Sequence, residues 1–221
     1  MIQKSVGVLT IGQSPRIDVT PSIQHILGNS VDLVEAGGLD RIDDDNIHTI
    51  TPDNDEITYI SKLRNGQSTK IGKSKLLPLL QEELTRLEDK VSAVIMLCTG
   101  DFPTINSKKP LIYPDKILSH TVQAILTKGK LGLIVPLEEQ RYTLTQKWKS
   151  TGIDLCVEVA SPYEDSDIKG AARKLKKQGA ELIVLDCMGY NEAHKKDAME
   201  ESSLPVLLPR TLTARIVAEY V

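Results

Sequence analysis

The sequence predicts an α/β fold made mainly of parallel β-sheet, and three observations support this prediction. Short apolar runs that fit buried strands alternate with charged, amphipathic segments that fit helices along most of the 221 residues. The apolar run 91–97, which leads into Cys98-Thr99-Gly100, is repeated at 180–186, which leads into Cys187-Met188-Gly189. An Asn-Gly pair adds a hairpin signal near 58–71. We therefore predict two related α/β halves with one inserted β-hairpin.

The first half begins with a strand and a helix. Residues 6–11 form a continuous apolar run, which is typical of a parallel strand covered on both faces. Thr20 is the predicted N-cap of a helix that ends near Leu27, with Pro21 at its first position. Asn65-Gly66 between β-prone runs predicts the hairpin. The other elements expected here are a strand at 31–36, a loop or short helix at 40–55, a helix at 73–90 and a strand at 91–97.

The second half continues the alternation. Its apolar run 131–135 has the character of the first strand and is closed by Pro136. The other elements expected here are helices at 115–128, 138–150, 165–178, 191–202 and 211–221, and strands at 154–159, 181–186 and 204–209.

The repeat also sets the expected domain organisation. Residues 1–113 together with 206–221 form the first predicted half, and residues 114–205 form the second. The segments 103–115 and 203–210 contain prolines and are the predicted hinges.

Composition argues against nucleic acids and membranes as partners. The formal net charge of −3 offers no attraction to a phosphate backbone or an anionic surface. Aromatic residues make up only 4% of the chain, so few side chains can stack on bases. No apolar run reaches the roughly 18–20 residues of a membrane span, and residues 1–5 lack the pattern of a signal peptide. We expect a cytoplasmic protein with a small-molecule ligand.

Two of the three cysteines are candidates for chemistry. Cys156 lies in an alternating strand pattern and is predicted to pack as a small apolar residue. Cys98 and Cys187 each follow a predicted strand, and ligands bind at the carboxyl ends of parallel strands. The N-terminus of a following helix favours a thiolate at such a position. The chain has no CxxC pattern and its four histidines are scattered, so we predict no metal site.

Polar residues after the first and last strands are candidate substrate contacts. Ser14, Pro15 and Arg16 follow the first strand, and they offer a hydroxyl, backbone donors and a guanidinium to a carboxylate or a phosphate. A tight turn with a surface arginine is the alternative. Tyr190 is a candidate donor to a substrate oxygen or a packing residue. Arg210 follows the last strand, where it either binds a carboxylate or stays solvated.

The residues next to the two cysteines complete the candidate site. Small glycines at these turns allow a substrate carboxylate to approach backbone N–H groups. The candidate substrate-binding residues are Thr99, Gly100, Met188 and Gly189. Asp186 is expected either to polarise its neighbour Cys187 or to cap the next helix.

Taken together, these motifs resemble the AroM family. The resemblance covers essentially the whole chain and is carried by residues 9–16, 35–40, 97–100 and 186–190. That family in turn resembles the aspartate/glutamate racemase superfamily, whose members have two pseudo-symmetric α/β halves with a cleft between them. The racemases use one cysteine from each half as a base and need no cofactor.

This resemblance implies a function for the cysteine pair. Cys98 and Cys187 would be the catalytic thiols of a cofactor-independent racemase or isomerase, or of a decarboxylase, acting on a small carboxylic acid. A homodimer is expected by analogy with that superfamily. The alternative is a non-catalytic small-acid binding or regulatory protein linked to aromatic amino-acid (shikimate) metabolism.

Overall fold

A computed structural model describes residues 4–102 and 105–221. Residues 103–104, the start of one predicted hinge, lie outside this description, as do residues 1–3 of the segment considered for a signal peptide. The chain divides into two compact units. The first contains the described residues up to Cys98 and those of Phe102–Pro114 and Ala214–Val221, and the second contains Thr99–Asp101 and Asp115–Thr213.

The first unit contains a four-stranded parallel sheet and the inserted hairpin. In chain order its elements are β1 (Lys4–Thr10), α1 (Thr20–Leu27), β2 (Val31–Gly37), a 3-10 helix (Asp44–Ile50), β3 (Thr58–Lys62), β4 (Ser68–Gly72), α2 (Lys73–Glu88), β5 (Ala93–Leu97) and β6 (Leu111–Ile112). The strand order is β2-β1-β5-β6, and all neighbouring strands are parallel. All of β5 is buried, as expected for a strand covered on both faces.

Helix α2 packs against this sheet through an apolar stripe. Leu76, Leu80, Leu84 and Leu87 recur at helical spacing and are at most 3% exposed. Gly7 in β1 allows the close approach, because a Cβ atom there would lie 2.8 Å from a methyl carbon of Leu87. The packing holds β1 and its carboxyl end in place.

The β3–β4 hairpin packs onto the loop that follows β1. Its strands are antiparallel and are joined through Gly66, which has a positive φ of 84°. Gly12 in the loop lies so close that a Cβ atom would be 2.4 Å from the Ser61 hydroxyl and 2.5 Å from the Lys62 carbonyl oxygen. The inserted hairpin therefore packs against the backbone at the carboxyl end of β1.

The second unit repeats the sheet of the first. From Pro114 onward the elements are α3 (Pro114–Ile125), β7 (Lys130–Val135), α4 (Glu138–Lys149), β8 (Asp154–Val159), α5 (Ile168–Lys177), β9 (Ala180–Leu185), α6 (Glu192–Ser202), β10 (Val206–Leu207) and α7 (Pro209–Tyr220). Pro114 and the residues of α7 from Ala214 onward belong to the first unit. The parallel strands follow the order β8-β7-β9-β10, which matches β2-β1-β5-β6 strand for strand. The prediction of parallel α/β sheets with an inserted hairpin is confirmed.

Most element boundaries differ from the sequence prediction by one to three residues, and two of the differences have a clear physical reason. Helix α1 has Val19 rather than Thr20 at its N-cap, because the Thr20 hydroxyl donates to the Arg16 carbonyl at 2.8 Å instead of capping the helix. The last strand is only Val206–Leu207, since Pro205 and Pro209 have no N–H to extend the ladder. Within residues 4–102 and 105–221, no helix is both long and apolar enough to cross a membrane.

Candidate functional site

The two repeated cysteines have the same backbone turn in their respective units. Cys98 follows β5, and its N–H donates to the Met96 carbonyl oxygen at 2.8 Å. Cys187 lies two residues beyond β9, and its N–H donates to the Leu185 carbonyl oxygen, also at 2.8 Å. Both side chains are half-buried. Because β5 and β9 are matching strands of the two sheets, the cysteines occupy equivalent positions.

The sulfur of Cys187 contacts two polar groups of the second unit. The Gly189 N–H donates to Sγ at 3.4 Å, and the Tyr163 hydroxyl oxygen lies 3.8 Å from Sγ. Tyr163 was not predicted from the sequence. The available signal was its place just beyond β8, the same sheet edge at which the other candidates lie. Both contacts stabilise a thiolate, since each can donate a hydrogen bond to a negative sulfur.

Arg210 supports the Cys187 turn from inside the unit. Its side chain is 1% exposed, and its guanidinium donates to the Met188 carbonyl oxygen at 2.8 and 3.1 Å and to the Gly189 carbonyl oxygen at 2.9 Å. The Met188 carbonyl and the Gly189 N–H belong to one planar trans peptide, so they point in opposite directions. By holding the carbonyl, Arg210 aims the Gly189 N–H at Cys187.

Tyr190 anchors the same turn to the end of β8. Its side chain is fully buried, and its hydroxyl donates to the Ala160 carbonyl oxygen at 2.7 Å. Burial raises the pKa of Tyr190 well above its ordinary value, and the nearby charges of Cys187 and Asp186 act in the same direction. The phenol therefore stays protonated and keeps this hydrogen bond.

Asp186, next to Cys187, has a buried carboxylate with two kinds of donor. The Lys147 ammonium lies 2.8 and 3.1 Å from its two oxygens, and the Trp148 indole N–H donates at 2.7 Å. The expected cap role belongs to Asn191 instead, whose side chain accepts from the His194 N–H at the start of α6. Asp186 thus fixes the backbone before Cys187.

Thr99 and Met188, the residues that follow the two cysteines, each have one hydrogen-bond donor with no partner among the described residues. The Thr99 carbonyl accepts from Lys147 at 2.8 Å. Within the described part of the chain, neither the Thr99 hydroxyl nor the Met188 N–H makes a hydrogen bond. Both residues are at most 4% exposed. Donors that are unpaired within the described residues can donate hydrogen bonds to an anionic ligand.

The loop after β1 binds the carboxylate of Asp40. The Ser14 N–H donates to Asp40 Oδ1 at 2.7 Å, and the Ser14 hydroxyl donates to Oδ2 at 2.6 Å. Arg64 from the hairpin donates to Asp40 at 2.7 Å and to the Ser14 carbonyl at 2.5 Å. Pro15, the third member of this predicted group, is exposed. Substrate binding by Ser14 and Pro15 stays a prediction.

Arg16 is also occupied by groups of its own unit. Its side chain is 3% exposed, its guanidinium forms two hydrogen bonds to Asp18 at 2.8 and 2.9 Å, and its N–H donates to Glu35 at 2.6 Å. Burial opposes the charged form of Asp18, but the hydrogen bonds and charge of Arg16 outweigh it and lower the pKa of Asp18. The guanidinium is thus already paired within its own loop, and a substrate contact by Arg16 stays a prediction.

The predicted residues thus fall into two groups. Ser14, Pro15, Arg16 and Cys98 belong to the first unit. The second unit holds the larger group, which consists of Thr99, Gly100, Cys187, Met188, Gly189, Tyr190 and Arg210. Arg210 donates hydrogen bonds to Met188 and Gly189, and the Gly189 N–H donates to Cys187. The Ser14–Arg16 loop forms its own network with Asp40, Asp18 and Glu35.

Solved structures with this architecture define a racemase-like α/β fold. Allantoin racemase from Klebsiella pneumoniae is 14% identical and has a TM-score of 0.62, with 98% of this chain and 86% of that chain covered. The maleate cis-trans isomerase of Nocardia farcinica is 12% identical with a TM-score of 0.65, covering 98% and 91%. Glutamate racemase isoform RacE1 from Bacillus anthracis is 14% identical with a TM-score of 0.62, covering 98% and 81%.

The particular family follows from the sequence. The family described as AroM protein matches residues 6–221, and the chain therefore belongs to the AroM family. Comparison with curated proteins gave no match. At the identities above, the likeness to the solved structures establishes the fold.

Proposed function

We propose that this AroM protein is a cofactor-independent racemase or isomerase of a small carboxylic acid, with Cys98 and Cys187 as its acid–base residues. One observation carries the proposal: the two cysteines occupy equivalent positions after matching strands and have the same 2.8 Å backbone turn. Racemisation needs two groups of one chemical type, one to remove a proton from carbon and one to return a proton to the other face. A duplicated strand end supplies such a pair.

The surroundings of Cys187 support its service as a base. The thiolate is the reactive form of cysteine, and the Gly189 N–H at 3.4 Å from Sγ stabilises that charge. In the proposed step, the thiolate takes the α-proton and becomes a thiol, while the C–H electron pair stays on the substrate as a carbanion. The thiol of Cys98 then gives its proton to that carbon and becomes the thiolate. The opposite enantiomer reacts in the reverse direction.

The carbanion must be stabilised through the carboxylate of the substrate. Removal of an α-proton next to a carboxylate places further negative charge on its oxygens, which fixed hydrogen-bond donors can stabilise. We propose that the Met188 N–H and the Thr99 hydroxyl serve as these donors, because both are unused within the described residues.

Proton exchange at the α-carbon tests this function. The protein is incubated in heavy water with aspartate, glutamate, malate, maleate, hydantoins and shikimate-pathway acids, and the α-proton signal is followed by NMR. We expect exchange with one class of acid, no exchange in the C98S/C187S double variant, and unchanged exchange in C156S. Cys156 is the matched control because its thiol is buried in β8 and contacts the Leu131 carbonyl.

The outcomes separate the proposed function from its alternatives. Exchange that persists in the double variant would overturn the assignment of the two thiols. Consumption of an acid that depends on a single cysteine would instead indicate decarboxylation. No exchange across the panel, in folded protein with reduced thiols, would contradict the enzyme proposal and favour the small-acid binding protein.

A further inference from the structure

We propose that Tyr163 is a positioning residue that holds Cys187 as a thiolate through a hydrogen bond from its hydroxyl. The inference rests on the proposed function in that it treats Cys187 as an acid–base residue. The Tyr163 hydroxyl oxygen lies 3.8 Å from Cys187 Sγ, and both residues belong to the second unit. A thiolate can only accept a hydrogen bond, so the phenol must be the donor when Cys187 is charged.

The position of Tyr163 depends on Gly189. A Cβ atom on Gly189 would lie only 2.6 Å from both Cζ and the hydroxyl oxygen of Tyr163. The ring therefore packs directly over the glycine, in space that any other residue would fill. From the opposite end, the Tyr163 N–H donates to the Ser161 hydroxyl at 3.2 Å, and the Ser166 hydroxyl donates to the Ser161 carbonyl at 2.6 Å. The loop after β8 thus places the phenol beside the sulfur.

In this arrangement Cys187 exchanges a proton with the substrate, whereas Tyr163 keeps its own. A phenol is a weaker acid than a thiol, so Tyr163 keeps its proton while Cys187 loses one. When the Cys187 thiolate takes a proton from carbon, S–H forms and the phenol remains neutral. The hydroxyl therefore favours the charged form of Cys187 without entering the proton transfer itself.

The other ionisable groups around the Cys187 turn are already paired. Asp186 binds Lys147 and Trp148, Arg210 binds backbone carbonyls, and Tyr190 donates to Ala160. None of these contacts involves the Tyr163 hydroxyl. Replacement of Tyr163 by Phe keeps the ring over Gly189 and removes one donor from the sulfur.

Alkylation of Cys187 by iodoacetamide, followed by peptide mass spectrometry, tests the proposal without any substrate. Near neutral pH we expect Y163F to slow alkylation of Cys187 by about three- to tenfold, the effect of losing one hydrogen bond of ordinary strength. Above about pH 10 the rates should converge, since an ordinary thiol is then ionised in both proteins. The matched control Y142F removes a phenol that is 73% exposed and should leave the rate unchanged.

A second variant, at Gly189, tests the same contact between Tyr163 and Cys187 by a different substitution. G189A should displace the ring and slow alkylation of Cys187 to a similar extent, and the Y163F/G189A double variant should be no slower than the slower single one. Equal rates in wild type and Y163F near neutral pH would overturn the proposal, as would equal slowing of Cys98 and Cys187. Absence of α-proton exchange with the alkylation effect intact would instead contradict the proposed function.

Discussion

The ammonium group of Lys147 lies 2.8 Å from Asp186 Oδ2, and the Asp186 side chain is completely buried. The same ammonium donates to the Thr99 carbonyl at 2.8 Å. One charge in α4 therefore holds the residue after Cys98 and the residue before Cys187. This arrangement explains how the Asp186 carboxylate can be fully buried, since a buried carboxylate must be paired.

Replacement of Lys147 should strongly destabilise the folded protein. Among the described residues, K147M leaves the buried Asp186 carboxylate with the Trp148 indole as its one side-chain donor. We expect a loss of about 3–5 kcal/mol in the free energy of unfolding, measured by urea denaturation. The K147M/D186N double variant should recover part of this loss, because it removes the unpaired charge while the amide oxygen can still accept from Trp148. A double variant less stable than K147M would contradict a dominant role for the ion pair.

Arg210 should be irreplaceable by lysine. A lysine lacks the planar fork that reaches the Met188 and Gly189 carbonyls together. We expect both R210K and R210M to lose about 2–4 kcal/mol in the free energy of unfolding, measured by urea denaturation. Both should also slow alkylation of Cys187, because the Met188–Gly189 peptide is no longer held. Normal alkylation in R210M would show that the guanidinium does not orient the Gly189 N–H. R215M, at an exposed position in α7, is the matched control.

The loop after β1 should depend more on Asp40 than on Arg64. D40A removes the acceptor of the Ser14 and Gly37 N–H groups, and we expect a loss of about 2–3 kcal/mol in the free energy of unfolding. R64A removes a side chain that is 48% exposed, so its effect should be below about 1 kcal/mol. Both are measured by urea denaturation. Equal losses in the two variants would show that the contacts of Arg64, rather than the Asp40 carboxylate, organise the loop.

We expect Asp18 to make the free energy of unfolding of the first unit fall at acidic pH. Its pKa is lowered in the folded chain, so its stabilising contribution is complete above the unfolded value of about 4 and is lost as pH falls through the folded value. D18N should therefore be less stable than wild type near neutral pH, and the difference should shrink below about pH 3. Urea unfolding between neutral pH and about pH 3 measures the difference in stability between wild type and D18N. D154N, at an exposed position in β8, is the control. A constant difference at all pH values would refute the charge argument.

The architecture was largely predictable because its signals are local. The alternation of strands and helices, the Asn65-Gly66 turn and the repeated strand ends at Cys98 and Cys187 are all visible in the sequence. Residue 20 was assigned wrongly as an N-cap because its hydroxyl binds Arg16 and Glu35, partners that a local pattern does not identify. The two-residue strand β6 is too short to produce a periodic signal.

The contacts of the candidate site were less predictable. Arg210 and Arg16 were expected to offer charge to a substrate, yet their guanidinium groups bind the Met188 carbonyl and Asp18. The first contact joins residues 22 positions apart, and such pairings depend on the tertiary fold. The contact between Arg16 and Asp18 could have been predicted, because these residues are only two positions apart in the sequence. Tyr163 was missed because its contact with Cys187 requires the loops after β8 and β9 to be placed together.

Enantiomer-resolved exchange in heavy water tests the two-thiol claim most directly. With the acid identified by the panel, each pure enantiomer is incubated with C98S and with C187S, and both deuterium incorporation and inversion are followed. We predict that both variants lose inversion, while each still exchanges the α-proton of one enantiomer, and that this enantiomer is opposite in the two variants. Inversion that survives in either variant, or loss of the same enantiomer's exchange in both, would contradict the account.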